Sequence, residues 1–345
     1  MRYNSESPFE PPIDPSALSF PTLFTSRTLS GVLFHLHDGK MSMGDLCRAL
    51  RTRPHAVLPD LKHLCLTGIA AKDRDVYALR PIGSAIVRRM ADFAGVEGVT
   101  DEMIEAWNTI RSLGRSGIPI QILHFLVGGD QTPDGLAHLT GTSHSTLRPR
   151  IRALSAMGLL EHQNRTLRIT GKGMEALAAA NDLAGTLEFC VRRPAFFREN
   201  RLDGLPEGAL LGIRHFSDGA YRPGIPALQA WLELEADHPL ASPSCIRYIT
   251  DSIPGNTVGR ILQTVEEGGA DVRMILSRQA AGVLASEGSL PRNLSVHVAD
   301  LPPGADLGFT DGATAFQGLF SVGEPARQWG EQVYGHCLEG AGPLE

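Results

Sequence analysis

Arg148, Arg150 and Arg152 alternate along a stretch that reads as a helix, and Arg165, Arg168 and Lys172 follow within the length of one hairpin. Between Ser143 and Gly173 six basic residues face one acid, Glu161, a local balance of +5 in a chain of net charge −6. A local reversal of charge is what a phosphate-facing surface requires. On a helical wheel, Ser145, Arg148, Pro149 and Arg152 lie opposite the apolar stripe Leu147, Ile151 and Leu154, with Thr146 at the edge. Hydroxyls and guanidiniums in that arrangement suit base edges and phosphates of double-stranded DNA. The predicted contacts are Ser145, Thr146, Arg148, Arg150 and Arg152 on the helix, and Arg165, Arg168 and Lys172 beyond it. The plainer use of the same residues is a solvated helix face beside a hairpin.

The flanking residues say what must hold this helix. Thr132-Pro133 is an N-cap followed by proline at the first helical position, and Gly141 stops that helix. Thr142 or Ser143 caps the arginine helix, which Gly158 ends. Leu159 to Gln163 and Thr166 to Thr170, joined at Asn164-Arg165, form a hairpin. Helix, tight turn, helix and ribbon is the order of a winged helix-turn-helix. A shift of 90 residues lays 28–84 on 118–174 without a gap. Leu46 then meets Leu136, Pro59 meets Pro149, Gly68 meets Gly158 and Gly83 meets Gly173. Two copies of one unit follow, and the shared proline predicts a bend in both arginine-position helices. The first copy carries His55 and Lys62 on its outer face and Lys72 and Arg74 in its ribbon. These are the weaker set of DNA contacts, so the second copy is expected to be the main reader.

Charge divides the chain. Residues 25–92 carry eleven basic and six acidic side chains, whereas residues 225–345 carry six and fifteen. DNA contact is therefore expected in the first half. From 226 helices alternate with short apolar strands at 245–250, 271–276, 294–299, 306–310 and 313–321, an α/β layered pattern. Arg247, Tyr248, Asp251, Arg273 and Asp311 are placed at strand ends there, enough polar groups to orient a small-molecule effector. The expected divisions are a flexible arm (1–24), winged helix 1 (25–92), a connecting helix (93–115), winged helix 2 (116–184), a linker helix and loop (185–225) and an α/β effector or dimerisation domain (226–345). The apolar stripe from Leu177 to Phe189 is expected to pair with a second copy in a homodimer.

Other chemistry finds little support. His35, His37 and Asp38 align with a helix end in the second copy, which favours packing over metal binding. There is no phosphate-binding G-x-x-x-x-G-K-[ST] loop. The five cysteines show no C-x-x-C pair, as expected for reduced thiols in a cytoplasm. The first residues lack the apolar core of a signal peptide, and no run reaches the ~18 apolar residues of a membrane span. No catalytic residue, metal or cofactor is predicted.

The segments GGADVRMILS, LSVHVAD, DLGFTDGATAFQGLFS and EPARQWGEQVYGHCLEGA, with STLRPRIRALSAMGLLE upstream, carry a resemblance. Over about 116–345 the chain resembles archaeal winged-helix transcription regulators of methanogens and halophiles with a FilR-type (methanogenesis regulatory protein) effector domain. The resemblance implies transcription regulation with no catalytic residues. Its effector half is also similar to the phospholipase-D-like ligand domain of archaeal sugar-responsive regulators, but the H-x-K motif of that enzyme fold is absent. The expected fold is α+β: tandem winged helices followed by an α/β, phospholipase-D-like, non-catalytic effector domain. The expected function is a cytoplasmic DNA-binding regulator. The alternative is a protein-interaction module, or a degenerate phosphodiesterase-like enzyme, with winged helices as scaffold.

Overall fold

A computed structural model describes residues 22, 26–96, 98, 100, 103–105, 107–108, 117–200, 202–222, 227, 244–253, 263, 266, 269–286, 290–310 and 313–344. Most of the expected N-terminal arm, most of the connecting helix, most of the helical stretches expected between 226 and the strand at 271, and Asp311 lie outside the described residues. The chain is an α+β protein with several sheets, divided into two compact units, Met1–Ala195 and Phe196–Glu345.

The first unit opens with α1 (Arg27–Asp38), β1 (Met41–Ser42), α2 (Met43–Ala49), α3 (Pro54–Leu66), β2 (Ala70–Asp73), β3 (Val76–Leu79) and α4 (Pro81–Ala94). It continues with α5 (Ile118–Val127), α6 (Pro133–Thr140), α7 (His144–Ala156), β4 (Leu160–Gln163), β5 (Thr166–Ile169) and α8 (Gly171–Arg192). The bounds of α7, β4 and β5 each fall 90 residues after those of α3, β2 and β3. Pairing follows the same offset: Met41 faces Tyr77 across β1 and β3, and Gln131 bridges Leu167.

Local chemistry explains the elements. Ser42 and Asp45 form a capping box at α2, and the Thr132 hydroxyl accepts the Gly135 amide at 3.0 Å. Gly141 takes the left-handed conformation that closes α6. Both α3 and α7 run unbroken through their sixth residue, Pro59 and Pro149. A Cβ on Gly83 would lie 2.4 Å from the Ile69 carbonyl oxygen, and one on Gly173 would lie 2.2 Å from that of Leu159. The first turn of α4, and likewise of α8, is thus pressed against the residue that enters the ribbon, where only glycine fits.

Helices α4 and α8 pack on each other. Ala176, Leu177, Ala179, Ala180, Leu183, Leu187 and Phe189 of α8 are buried, as are Ala85, Ile86, Met90 and Phe93 of α4. Arg89 of α4 pairs with Asp182 of α8 and with Asp92 at 2.9 Å. The stripe expected to meet a second chain is therefore already covered inside this one. Alanine at three of its positions, Ala176, Ala179 and Ala180, lets the helices approach closely, and each helix supplies the apolar face the other needs.

The second unit begins with α9 (Pro194–Glu199), which starts at the unit boundary, then α10 (Glu207–Gly212), a 3₁₀ turn (Ile213–Phe216) and β6 (Ala220–Tyr221). After these come β7 (Cys245–Thr250), β8 (Asp271–Leu276), α11 (Arg278–Ala285), β9 (Leu294–Val298), β10 (Asp306–Thr310), β11 (Thr314–Phe316), β12 (Leu319–Ser321), α12 (Glu324–Glu339) and β13 (Gly342–Pro343). The strands form one mixed sheet in the order β13-β9-β8-β7-β10-β11-β12-β6. β7, β8 and β9 are parallel and the remaining pairings antiparallel. One face buries Ile246, Val272, Met274, Leu276, Leu294 and Val296 with Ala280, Ala281 and Leu284 of α11. The other meets α12, whose Trp329 donates its indole N–H to the Ala209 carbonyl at 2.7 Å and packs edge-on to Phe216 and Phe316.

Candidate nucleic-acid interface and effector face

Helix α7 buries Leu147, Ile151 and Leu154, which turns Ser145, Arg148 and Arg152 to solvent. Arg165 is exposed at the ribbon turn, where Asn164 has φ 58°. Among the described residues no acid lies within ion-pair distance of Arg148, Arg152 or Arg165. At the helix start the Ser143 hydroxyl lies 3.0 Å from that of Ser145 and 3.1 Å from that of Thr146.

The other three cations are engaged. Arg150 is half-buried and donates to the Thr146 carbonyl of its own helix. Arg168 forms a fork on Asp130, Nε and Nη2 each 2.9 Å from a carboxylate oxygen. That bidentate bond, together with the neighbouring charge, holds the Asp130 carboxyl below the ordinary range. The Lys172 side chain lies over Gly95, the residue closing α4, so close that a Cβ there would be 2.3 Å from Lys172 Cε. A cation at a helix C-terminus is favourably placed. The expected six-cation surface of the second copy thus reduces to Arg148, Arg152 and Arg165 as uncompensated charges. The reason is tertiary: the Gln131–Leu167 bridge brings Asp130 to the ribbon, and the packing of α8 on α4 brings Gly95 to Lys172.

In the first copy His55, Lys62, Lys72 and Arg74 are all exposed. Lys72 Nζ sits 5.5 Å from the centre of the Tyr77 ring. Arg74 occupies the left-handed ribbon turn at φ 54°, between exposed Asp73 and Asp75. Asp60 stands where the second copy has Arg150, and burial pushes its carboxyl up to about 6 against the pull of His63. Arg51 and Arg53, exposed in the turn before α3, belong to this surface too. Reading only the outer helical face passes over them.

Of the five residues expected to form one effector crevice, the four described, Arg247, Tyr248, Asp251 and Arg273, do not converge, and Asp311 lies outside the described residues. Arg247 and Arg273 stand in the middle of β7 and β8, in register with each other, and not at strand ends. Side chains alternate along a strand, so Tyr248 points through the sheet to the opposite face. There its hydroxyl donates to Asp306 at 2.7 Å, while the Ala227 amide donates to the other oxygen. Burial, despite those two bonds, pushes the Asp306 carboxyl up to about 6. Asp251 follows the last residue of β7 and accepts the Gly304 amide at 2.7 Å, a tie between loops.

On the Arg247 face, Phe309 and Tyr334 lie 5.5 and 5.8 Å from the guanidinium, and Glu331 lies 3.9 Å away. Glu331 is committed to Arg327 at 2.7 Å. Arg273 sets both Nε and Nη2 on a single oxygen of Asp271 at 2.9 Å. Tyr334 is 5% exposed, and its hydroxyl has no hydrogen-bond partner among the described residues. Burial pushes that phenol up to about 12, with the Arg247 and Arg273 charges pulling the other way. Tyr334 lay outside the sequence expectation because nothing in the pattern of α12 shows which strands it covers.

All five cysteines are free thiols. Among the described residues there is no cluster of three metal-ligating side chains, and no helix is long and apolar enough to cross a membrane.

No protein-family model matches the chain, and no curated protein does. Among solved structures, TrmBL2, an archaeal chromatin protein whose structure shows a novel mode of DNA binding, is 14% identical, with 71% of this chain and 100% of that one covered and a TM-score of 0.27. CalO1, a methyltransferase of calicheamicin biosynthesis in its SAH-bound form, is 18% identical over 58% of this chain and 66% of that one, at a TM-score of 0.21. SibL, an S-adenosylmethionine-dependent methyltransferase in its apo form, is 13% identical over 55% and 62%, at 0.20. The chain is thus remotely similar in structure to an archaeal DNA-binding chromatin protein and to unrelated methyltransferases.

Proposed function

We propose that the chain is a double-stranded-DNA-binding transcription regulator, built from two winged helices in tandem and a non-catalytic sensory second unit, and working in the cytoplasm. One observation carries this reading. Helix α7 presents Ser145, Arg148 and Arg152 outward in one row, beside Arg165 at the ribbon turn, with no acid neutralising the three arginines among the described residues. A solvated face with no partner to meet would gain more from interspersed acids, as the neighbouring ribbon of the first copy shows with Asp73 and Asp75. The resemblance to FilR-type regulators points the same way.

The packing of α4 on α8 supports internal pairing. Two similar modules joined across these helices place two DNA-facing units within one chain, the second the stronger reader. A homodimer would have to pair through another surface. Light scattering separates the two: a 37.2 kDa species supports pairing within one chain alone, and a species of twice that mass supports a homodimer joined through another surface. The DNA reading is tested by a mobility shift on duplex from upstream of the chain's own gene, run across a salt series. Retarded duplex whose affinity falls steeply with salt is the expected result. A chain that retards no duplex at low salt overturns the reading in favour of a protein-interaction module.

A further inference from the structure

The parallel pairing of β7 and β8 sets Arg247 directly beside Arg273 on one face of the sheet. Strands in a sheet lie about 4.8 Å apart, and like charges directly opposite destabilise the pairing. The carboxylates nearby do not resolve this. Asp271 gives Arg273 one oxygen, and Glu331 is closer to Arg327, at 2.7 Å, than to Arg247, at 3.9 Å. Phe309 and Tyr334 flank the Arg247 guanidinium at 5.5 and 5.8 Å from their ring centres. The buried Tyr334 hydroxyl, carried by the ring that flanks Arg247, has a proton to donate and no acceptor among the described residues. A buried donor left unmet bears the full cost of its desolvation. Two guanidiniums and a phenol O–H are all donors, and one negatively charged oxygen group would satisfy all three.

We propose that this face of β7 and β8, at the edge of α12, binds a small molecule through a carboxylate or phosphate oxyanion, held between Arg247 and Arg273 with the Tyr334 hydroxyl donating to it. The side chains of Arg247 and Arg273 are 32% and 51% exposed, so the oxyanion reaches them from solvent. Arg273 exchanges its exposed pair with Asp271, a weak interaction, for the ligand. An isolated surface ion pair would not leave a buried tyrosine hydroxyl unmet on the ring beside Arg247. This deepens the reading of the second unit as a sensor and depends on that reading only for its biological meaning. Binding is measured without DNA, so failure of the site and failure of the DNA reading are separate results.

The test is calorimetric titration of the full chain with sodium succinate and, separately, with inorganic phosphate, at constant ionic strength against a sodium chloride blank. Saturable binding of one anion per chain is expected, and which of the two binds names the headgroup. Arg247→Ala and Arg273→Ala should each weaken it at least tenfold. Arg273 is the more exposed, so its variant serves if Arg247→Ala fails to fold. Tyr334→Phe should weaken binding several-fold and raise the melting temperature of the ligand-free protein, because the unmet hydroxyl is gone. Three results overturn the assignment: no saturable binding of either anion, binding unchanged in Arg273→Ala, or a lowered melting temperature in Tyr334→Phe, which would make the hydroxyl a structural group.

Discussion

The two halves of the first unit share a scaffold and differ in what they show to solvent. Both press a glycine at the start of a long helix against the carbonyl that enters the ribbon, and both carry a proline at the sixth residue of the exposed helix. Outside, α7 offers Ser145, Arg148 and Arg152, where α3 offers His55, Leu58 and Lys62, and Arg150 stands where α3 has Asp60. Buried positions that hold the fold have diverged little because their volumes and close approaches are fixed. Exposed positions were free to specialise. The difference also corrects simple charge counting: half of the second half's six cations are held by Asp130, by the Thr146 carbonyl and over the end of α4.

The largest effect should come from the shared scaffold. Gly83→Ala and Gly173→Ala each force a Cβ against a backbone carbonyl that cannot retreat without unpairing the ribbon. Each should lose about 3 kcal/mol of stability, read by urea denaturation of the full chain. Equal losses would sharpen the equivalence of the two halves. A neutral Gly173→Ala beside a costly Gly83→Ala would break it.

Next comes readout. If α7 is the reader, Arg148→Ala and Arg152→Ala should each weaken binding to duplex by about 1–3 kcal/mol. The matched pair His55→Ala and Lys62→Ala should cost well under about 1 kcal/mol together, as weak phosphate contacts do. Fluorescence anisotropy on one labelled duplex measures both pairs. A larger loss from the α3 pair would invert the assignment and make the first half the reader.

The third contrast is one of pH. Asp60 is half-buried and its carboxyl is pushed up to about 6 from an ordinary 3.8. The folded chain therefore holds this proton more tightly than the unfolded chain does. Stability tied to the group is complete below the ordinary value and is lost as pH rises through about 6. Allowing for solvent screening, the loss is on the order of 1 kcal/mol. Asp60→Asn should shallow the slope between pH 4 and 6 in thermal denaturation, Asp306, also pushed up to about 6, supplying the remainder. A slope unchanged by the substitution would place its origin elsewhere.

What the sequence made legible divides along the same line. The helices, caps, ribbon turns and the offset of 90 residues follow from local signals, namely Thr132-Pro133, Gly141, Asn164 and the apolar stripes. The strands of the second unit are equally local, and 245–250 and 271–276 match the expected bounds. Contacts set by tertiary packing were not legible. No periodicity tells that Asp130 meets Arg168, that Arg89 of α4 meets Asp182 of α8, or that Tyr334 stands beside Arg247. Strand alternation did carry a warning that Arg247 and Tyr248, as neighbours on one strand, could not share a crevice.

The smallest effect tests the clamp on the ribbon. Asp130 is the group that takes Arg168 out of the proposed DNA-facing surface, through two bonds of 2.9 Å. Asp130→Asn keeps the shape and removes the charge, so Arg168 can turn to a phosphate. Duplex affinity should rise about two- to fivefold at low salt, and the salt dependence should steepen by about one released counterion. Removing any acid near DNA also gives a general electrostatic gain, so the control is decisive. In an Arg168→Ala background, Asp130→Asn should bring almost no gain if the pair is the cause. If the gain is the same with Arg168 absent, Asp130 acts only through its field, and Arg168 is no withheld contact of the second half.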